Sequence, residues 1–186
     1  MTNNVYVALI FLIDTLFTLF IGAVLLRFLL QWIRADFYNP LSQVIVKITN
    51  PLLLPLRKFI PGYRGLDIAA LLLVLLLEAV NIIVLILVSG NTLPNAAYIA
   101  YWSVLKSIAL LVNLYIFTIF IQALLSWINP GSYNPFTSIL WALNEPLLRP
   151  LRKLMPPISG LDFSPLLAII GLYVINILIP LPPLLR

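Results

Sequence analysis

Long apolar runs, broken by isolated polar residues, dominate the chain. Four of them approach the ~20 helical residues needed to cross a ~30 Å hydrocarbon core. The first covers about residues 5–33 and contains Asp14 and Arg27. The second covers 68–88, with Glu78 and Asn81 inside. The third covers about 98–128, with Lys106 and Asn113 inside. The fourth starts near Pro165 and runs to about Ile179, where Pro180 stops it; it is short and relies on the leucines at 181–185 or on local thinning of the bilayer. The first run has no basic residue before Arg27 and no small-residue cleavage site, so it reads as a retained helix and not a cleaved signal peptide.

Between the runs the periodicity changes. Asn39-Pro40 and Asn134-Pro135 have the form of helix starts, with Asn as N-cap and Pro at the first helical position, where its missing N–H has no partner to lose. Leu41, Val44, Ile45 and Ile48 then fall on one helical stripe, with Ser42, Gln43 and Lys47 opposite. Phe136, Ile139, Leu140 and Leu143 repeat the spacing, with Thr137, Ser138 and Asn144 opposite. A second amphipathic piece follows in each loop, one with Leu52, Leu53, Leu56, Phe59 and Ile60, the other with Leu147, Leu148, Leu151, Leu154 and Met155. Pro55 and Pro150 are expected to kink these pieces. Too short to span, the helices are expected to lie in the membrane interface, with the stripe in lipid or against the bundle. Asp67, and Asp162 or Ser164, are placed to cap the returning spans.

The two halves match at an offset of 95. Trp32-Ile33, Tyr38-Asn39-Pro40, Pro51-Leu52-Leu53, Pro55-Leu56-Arg57-Lys58, Pro61 and Gly65-Leu66-Asp67 return as Trp127-Ile128, Tyr133-Asn134-Pro135, Pro146-Leu147-Leu148, Pro150-Leu151-Arg152-Lys153, Pro156 and Gly160-Leu161-Asp162. From Trp32 to Asp67 there are 16 identities in 36 ungapped positions, and apolar composition alone does not bring Pro, Gly, Trp and Asp into register. The expected units are residues 1–95 and 96–186. Each holds two spans, so the copies share one orientation, related by a pseudo-twofold axis along the membrane normal.

Composition narrows the chemistry. Of 186 residues 62% are hydrophobic and 9% charged, against about 25% charged in soluble domains. There is no Cys and no His, which removes disulfides, thiol nucleophiles, Cys/His zinc sites and any Ser-His-Asp triad. No cofactor, no metal and no enzymatic activity are expected. The net charge of +5 is unevenly placed. Arg34, Lys47, Arg57, Lys58 and Arg64 lie between spans one and two, and Arg149, Arg152 and Lys153 between spans three and four. The segment 89–97 has neither Lys nor Arg. Basic short loops stay on the cytoplasmic side, which turns both termini outward. Basic residues flanked by Leu and Pro argue against nucleic acid and for anionic head groups, at about 1 kcal/mol per cation near the surface.

The motifs Arg27-Phe28-Leu29-Leu30-Gln31-Trp32, Asn39-Pro40, Pro51-Leu52-Leu53-Leu54-Pro55-Leu56-Arg57-Lys58 and Gly65-Leu66-Asp67 resemble the YggT (YlmG) family. So do Leu125-Ser126-Trp127-Ile128, Asn134-Pro135, the run Glu145 to Lys153, and Gly160 to Pro165. The first copy departs from the pattern where Ile68-Ala69-Ala70 replaces Phe163-Ser164-Pro165. The resemblance covers essentially the whole chain and looks like the two-copy proteobacterial type. It implies a multi-pass protein of the bacterial inner membrane. The family is linked to osmotic tolerance and potassium uptake, to cell division, and in plastids to maturation of a cytochrome b6 haem.

The expectation is an all-α membrane protein, four transmembrane helices in two parallel repeats, each with amphipathic helices in its cytoplasmic loop. The leading function is a structural or assembly factor, the alternative a small ion channel or transporter component. Arg57, Lys58, Arg149, Arg152 and Lys153 form the candidate surface for lipid, a membrane-protein partner or a second copy. Asp14, Glu78 and Lys106 form a candidate intramembrane cluster, with Lys106 expected to pair with Glu78 or Asp14. Asn39, Pro40, Asp67, Asn134, Pro135 and Asp162 are structural positions of the repeat. A catalytic dyad of Asp67 with Asp162 is disfavoured by the Arg-Lys pair preceding each. Trp32, Trp127 and Trp141 read as interface anchors, Arg27 as a snorkelling cation, and Asn81 with Asn176 as a hydrogen-bonded pair between spans two and four.

Overall fold

The computed structural model describes residues 2–63, 65–128, 134–154 and 162–186. Arg64, Tyr133, Met155, Pro156, Gly160 and Leu161, all used in the sequence reading, lie outside the described residues. Six α-helices follow one another: α1 (Thr2–Trp32), α2 (Pro40–Phe59), α3 (Ile68–Val88), α4 (Ala96–Ile128), α5 (Pro135–Leu154) and α6 (Ser164–Leu178), with a short 3-10 turn at Pro183–Leu185. No strand occurs among the described residues, only an isolated bridge between Tyr63 and Leu66 around Gly65 at φ +85°.

Three helices, α1, α3 and α4, are long and apolar enough to cross a membrane. At 1.5 Å per residue, the 15 residues of α6 reach about 22 Å, short of a ~30 Å core. Pro180 prevents its extension. The chain beyond it turns back, and Leu181, Leu184 and Leu185 pack with Ile82, Leu85 and Ile86 of α3, Ile10 and Ile13 of α1, and Ile99 and Trp102 of α4. The outward faces stay apolar, with Phe11, Leu16 and Leu19 exposed on α1 and Ile170, Val174 and Leu178 on α6.

α1 packs on α2 and α3, and α4 packs on α5 and α6. The halves meet chiefly through α3 and α4, with α2 and α5 touching. Ile21, Val24 and Leu25 of α1 form one core with Leu53 of α2 and Ala69, Ala70 and Leu73 of α3. Val112 and Ile119 of α4 form the other with Leu148 of α5 and Ala168 and Leu172 of α6. α3 ends in a Schellman motif: Gly90 takes φ +66°, its N–H donates to Leu87 O at 3.0 Å, and the Asn91 N–H donates to Ile86 O at 3.1 Å.

The two amphipathic pieces expected in each loop are one continuous helix of 20 residues, α2 or α5. In α2, Pro51 and Pro55 stand four residues apart on the exposed side. The carbonyls they free therefore face outward, where water or head groups can satisfy them, and the helix continues through them. Of the two placements expected for the stripe, against the bundle or outward, α2 uses both: part of the stripe is turned inward and part outward. Ser42, Ile45, Thr49 and Leu53 are buried, while Val44 and Ile48 are exposed. The reason is polar contact: Ser42 donates to Asp36 O at 3.0 Å, and Thr49 accepts from Arg27 at 2.7 Å.

Candidate functional site

The N-termini of α2 and α5 are fixed by their asparagines. Asn39 Oδ1 accepts from Leu41 N–H at 3.0 Å, and its Nδ2 reaches across to Pro135 O at 2.6 Å. Asn134 Oδ1 accepts from Thr137 N–H at 2.9 Å, and Thr137 Oγ1 accepts from Asn134 N–H at 3.0 Å. Pro40 and Pro135 open the two helices.

A polar lock then joins each of these helices to the long helix before it. Arg27, only 4% exposed, donates to Thr49 Oγ1 at 2.7 Å and Asn50 Oδ1 at 2.8 Å. It does not snorkel to head groups, because α2 lies across its path and offers these acceptors. In the other half Asn144 Nδ2 donates to Gln122 Oε1 at 2.8 Å, and its Oδ1 accepts from Thr118 at 2.9 Å. Gln122 stands 95 positions after Arg27, and Asn144 stands 95 after Thr49. The sequence reading missed this lock, since neither pair is identical between halves. The shared signal is polarity at both positions.

At the far end of α2 and α5, arginine braces tie each helix to the start of the next. Arg57 pairs with Asp67, its Nε donating at 3.2 Å, and also donates to Gln31 at 3.0 Å. Asp67 Oδ1 accepts from Ala70 N–H, capping α3. Arg152 donates to Asp162 at 2.9 Å and Glu145 at 2.7 Å, and its guanidinium lies 5.2 Å from the Trp141 ring centroid. Burial opposes the charge of Asp162, but hydrogen bonds from Ser164 and Arg152 outweigh it and hold the carboxyl below its usual range. Burial likewise opposes the Arg152 charge, and the bonds to Asp162 and Glu145 prevail, raising its pKa. Each aspartate is thus engaged by its own arginine ten residues earlier. The five candidate surface cations accordingly divide. Arg57 and Arg152 are half-buried braces, while Lys58, Arg149 and Lys153 are exposed with no ion pair among the described residues.

The intramembrane cluster assembles from three helices. Lys106 of α4 donates to Asp14 of α1 at 2.6 Å and stands 3.8 Å from Glu78 Oε2 of α3. Asn81 Nδ2 donates to the same Asp14 oxygen at 2.9 Å. Asn81 therefore does not pair with Asn176, which donates to Asn113 instead. α3 and α6 make no extended contact among the described residues, and each asparagine bonds to the first helix of its own half. A cavity of about 140 Å³ adjoins the cluster, lined by Asp14, Glu78, Lys106, Asn113, Leu185 and Arg186 among others. No group of three or more His, Cys, Asp or Glu that could hold a metal ion occurs among the described residues.

These features define the class, an all-helical protein whose long helices have the length and apolarity of membrane spans. The family model described as CCB3/YggT matches residues 6–88 and 101–182, and the chain belongs to the YggT family. It is 43% identical over 173 residues to an uncharacterised protein of Pseudomonas aeruginosa, covering 92% of this chain and 88% of that one. To the Escherichia coli K12 protein YggT it is 40% identical over 168 residues, covering 90% and 87%. To a Vibrio alginolyticus protein it is 41% identical over 169 residues, covering 90% and 91%. No solved structure matches.

Proposed function

We propose that the chain is a four-span protein of the bacterial inner membrane that acts as a structural or assembly factor at the cytoplasmic face. In this reading residues 1–95 and 96–186 are duplicated, parallel units, α6 is the fourth span, and both termini are periplasmic. The supporting observation is the pair of arginine braces. Arg57–Asp67 and Arg152–Asp162 hold α2 and α5 against the spans, so that Lys58, Arg149 and Lys153 are offered outward from rigid helices. Such a surface suits anionic head groups and a membrane-protein partner or second copy, and nothing in it suits nucleic acid. Its cellular output is maintenance of the envelope under osmotic stress, during division or in maturation of a membrane complex. The test is photocrosslinking in living cells from positions 58 and 153, with the triple variant Lys58→Gln, Arg149→Gln, Lys153→Gln. Discrete adducts, lost together with osmotic tolerance in a correctly inserted variant, support the role. An inserted variant with normal tolerance and unchanged adducts refutes it.

The charged cavity favours a second reading, a small channel or transporter component affecting potassium uptake. Its small volume and the leucines in its wall speak against conduction by one chain. Ion-selective flux into liposomes that is abolished by Lys106→Met would reverse the ranking.

A further inference from the structure

Among the described residues, three buried side-chain oxygens have no hydrogen-bond partner: Ser164 Oγ at the start of α6, and the neighbouring pair Glu78 Oε2 and Asn81 Oδ1 on α3. The residues of the pair are 1% and 0% exposed. They stand three positions apart on α3, on one face of the helix. An unpaired buried acceptor costs about 1–3 kcal/mol, so two together call for a donor. The orientation of the Asn81 amide is set by its neighbour. Asp14 Oδ1 is an acceptor, so the NH₂ group must face it and Oδ1 must turn the other way. Lys106 does not supply the missing donor, because its ammonium lies 3.8 Å from Glu78 Oε2, beyond hydrogen-bond reach.

We propose that Glu78 is a proton-binding site within the bundle, carrying a proton on Oε2 that it donates to Asn81 Oδ1. One proton from water converts an acceptor into a donor and satisfies both orphaned oxygens. A bound metal cation would instead sit beside the Lys106 ammonium. The charges facing Glu78 are of both signs: Asp14 favours the proton, whereas Lys106 and Arg186 favour the carboxylate, against the near-complete burial of the Glu78 side chain. Asp14 comes from α1, Lys106 from α4 and Arg186 from the C-terminal segment lining the cavity. α2 packs against the other end of α3, near Asp67. Of the two carboxyls only Asp14 is within hydrogen-bond distance of the lysine. The cavity provides the route by which water reaches Glu78.

The site is independent of the assembly role, and its readout is spectroscopic. Infrared spectra of the full-length protein in phospholipid bilayers at neutral pH should contain the C=O band of a protonated carboxyl. The band should move to lower wavenumber in D₂O and vanish in Glu78→Gln. Asn81→Leu should move it to higher wavenumber by removing the acceptor. Asp14→Asn should diminish it, since Lys106 is then left with Glu78 alone. Glu78→Gln copies the shape of the neutral acid and should unfold within a few degrees of the unaltered protein. Absence of a protonated-carboxyl band at neutral pH, a band that persists in Glu78→Gln, or a large loss of thermal stability in that variant would each overturn the proposal.

Discussion

Replacing Lys106 with Met keeps the length of the side chain and removes its charge from the bundle. At an effective dielectric of about 20, the Coulomb attraction is about 6 kcal/mol to Asp14 at 2.6 Å, and Glu78 at 3.8 Å adds about 4 kcal/mol only in its ionised form, which the proton-binding proposal excludes at neutral pH. These gross values are offset by desolvation of the ions, which costs several kcal/mol each. Removing one partner of a buried pair typically costs about 3–5 kcal/mol, because the other charge is left behind. The Asp14 side chain is 37% exposed and lines the cavity, so the figure must be discounted. The expected loss is about 2–3 kcal/mol, and adding Asp14→Asn should recover most of it by removing the stranded charge. Reversible unfolding of the protein in bicelles, run as a double-mutant cycle, measures both quantities. A Lys106→Met loss below about 0.5 kcal/mol, within the range of an ordinary surface substitution, would refute the view that this pair holds α1 to α4.

The two braces should respond unequally. Asp67 is 3% exposed on its side chain and Asp162 38%, so Asp67→Asn should cost about 2–3 kcal/mol and Asp162→Asn about 1 kcal/mol or less in the same unfolding assay. Because the folded-state pKa of Asp162 is depressed, its stabilising contribution is present above the unfolded carboxylate value near ~3.9 and is lost as pH falls through the lower folded value. Asp162→Asn should therefore flatten the acid limb of the stability–pH curve, and an unchanged limb would contradict the assignment. Gly90→Ala forces a Cβ onto φ +66° and should destabilise the end of α3 by about 1 kcal/mol, read from thermal unfolding. Asn39→Ala removes a cap and the bridge to Pro135, so it should cost at least the ~1 kcal/mol of a cap alone and loosen α2 from α5 in hydrogen exchange.

Helix positions were legible wherever periodicity and punctuation agreed. The apolar run at 68–88 has the bounds of α3, and Asn-Pro marks the starts of α2 and α5. Proline misled the reading in the loops, because its cost depends on which side of the helix the freed carbonyls face. The inward face of α2 was hidden for a related reason. A hydrophobic stripe does not record that Arg27, buried opposite, needs Thr49 and Asn50 as acceptors. The link of Lys106 to Asp14 spans 92 residues and depends on how α1 and α4 pack, which no local pattern specifies. Sequence could name the three charges, but not the order in which they pair.

The unequal helix lengths carry a mechanical consequence. α6 covers about 22 Å, while α1 and α4, at 31 and 33 residues, cover about 46–50 Å. In a bilayer with a ~30 Å core, long helices adapt by leaning over, whereas a short one pulls the leaflets together around itself. Stretching a membrane makes it thinner, which relieves the misfit at α6 and worsens it at α1 and α4. In the four-span arrangement proposed above, membrane tension would therefore act in opposite senses on α6 and on the longer helices, α4 among them packed directly against it.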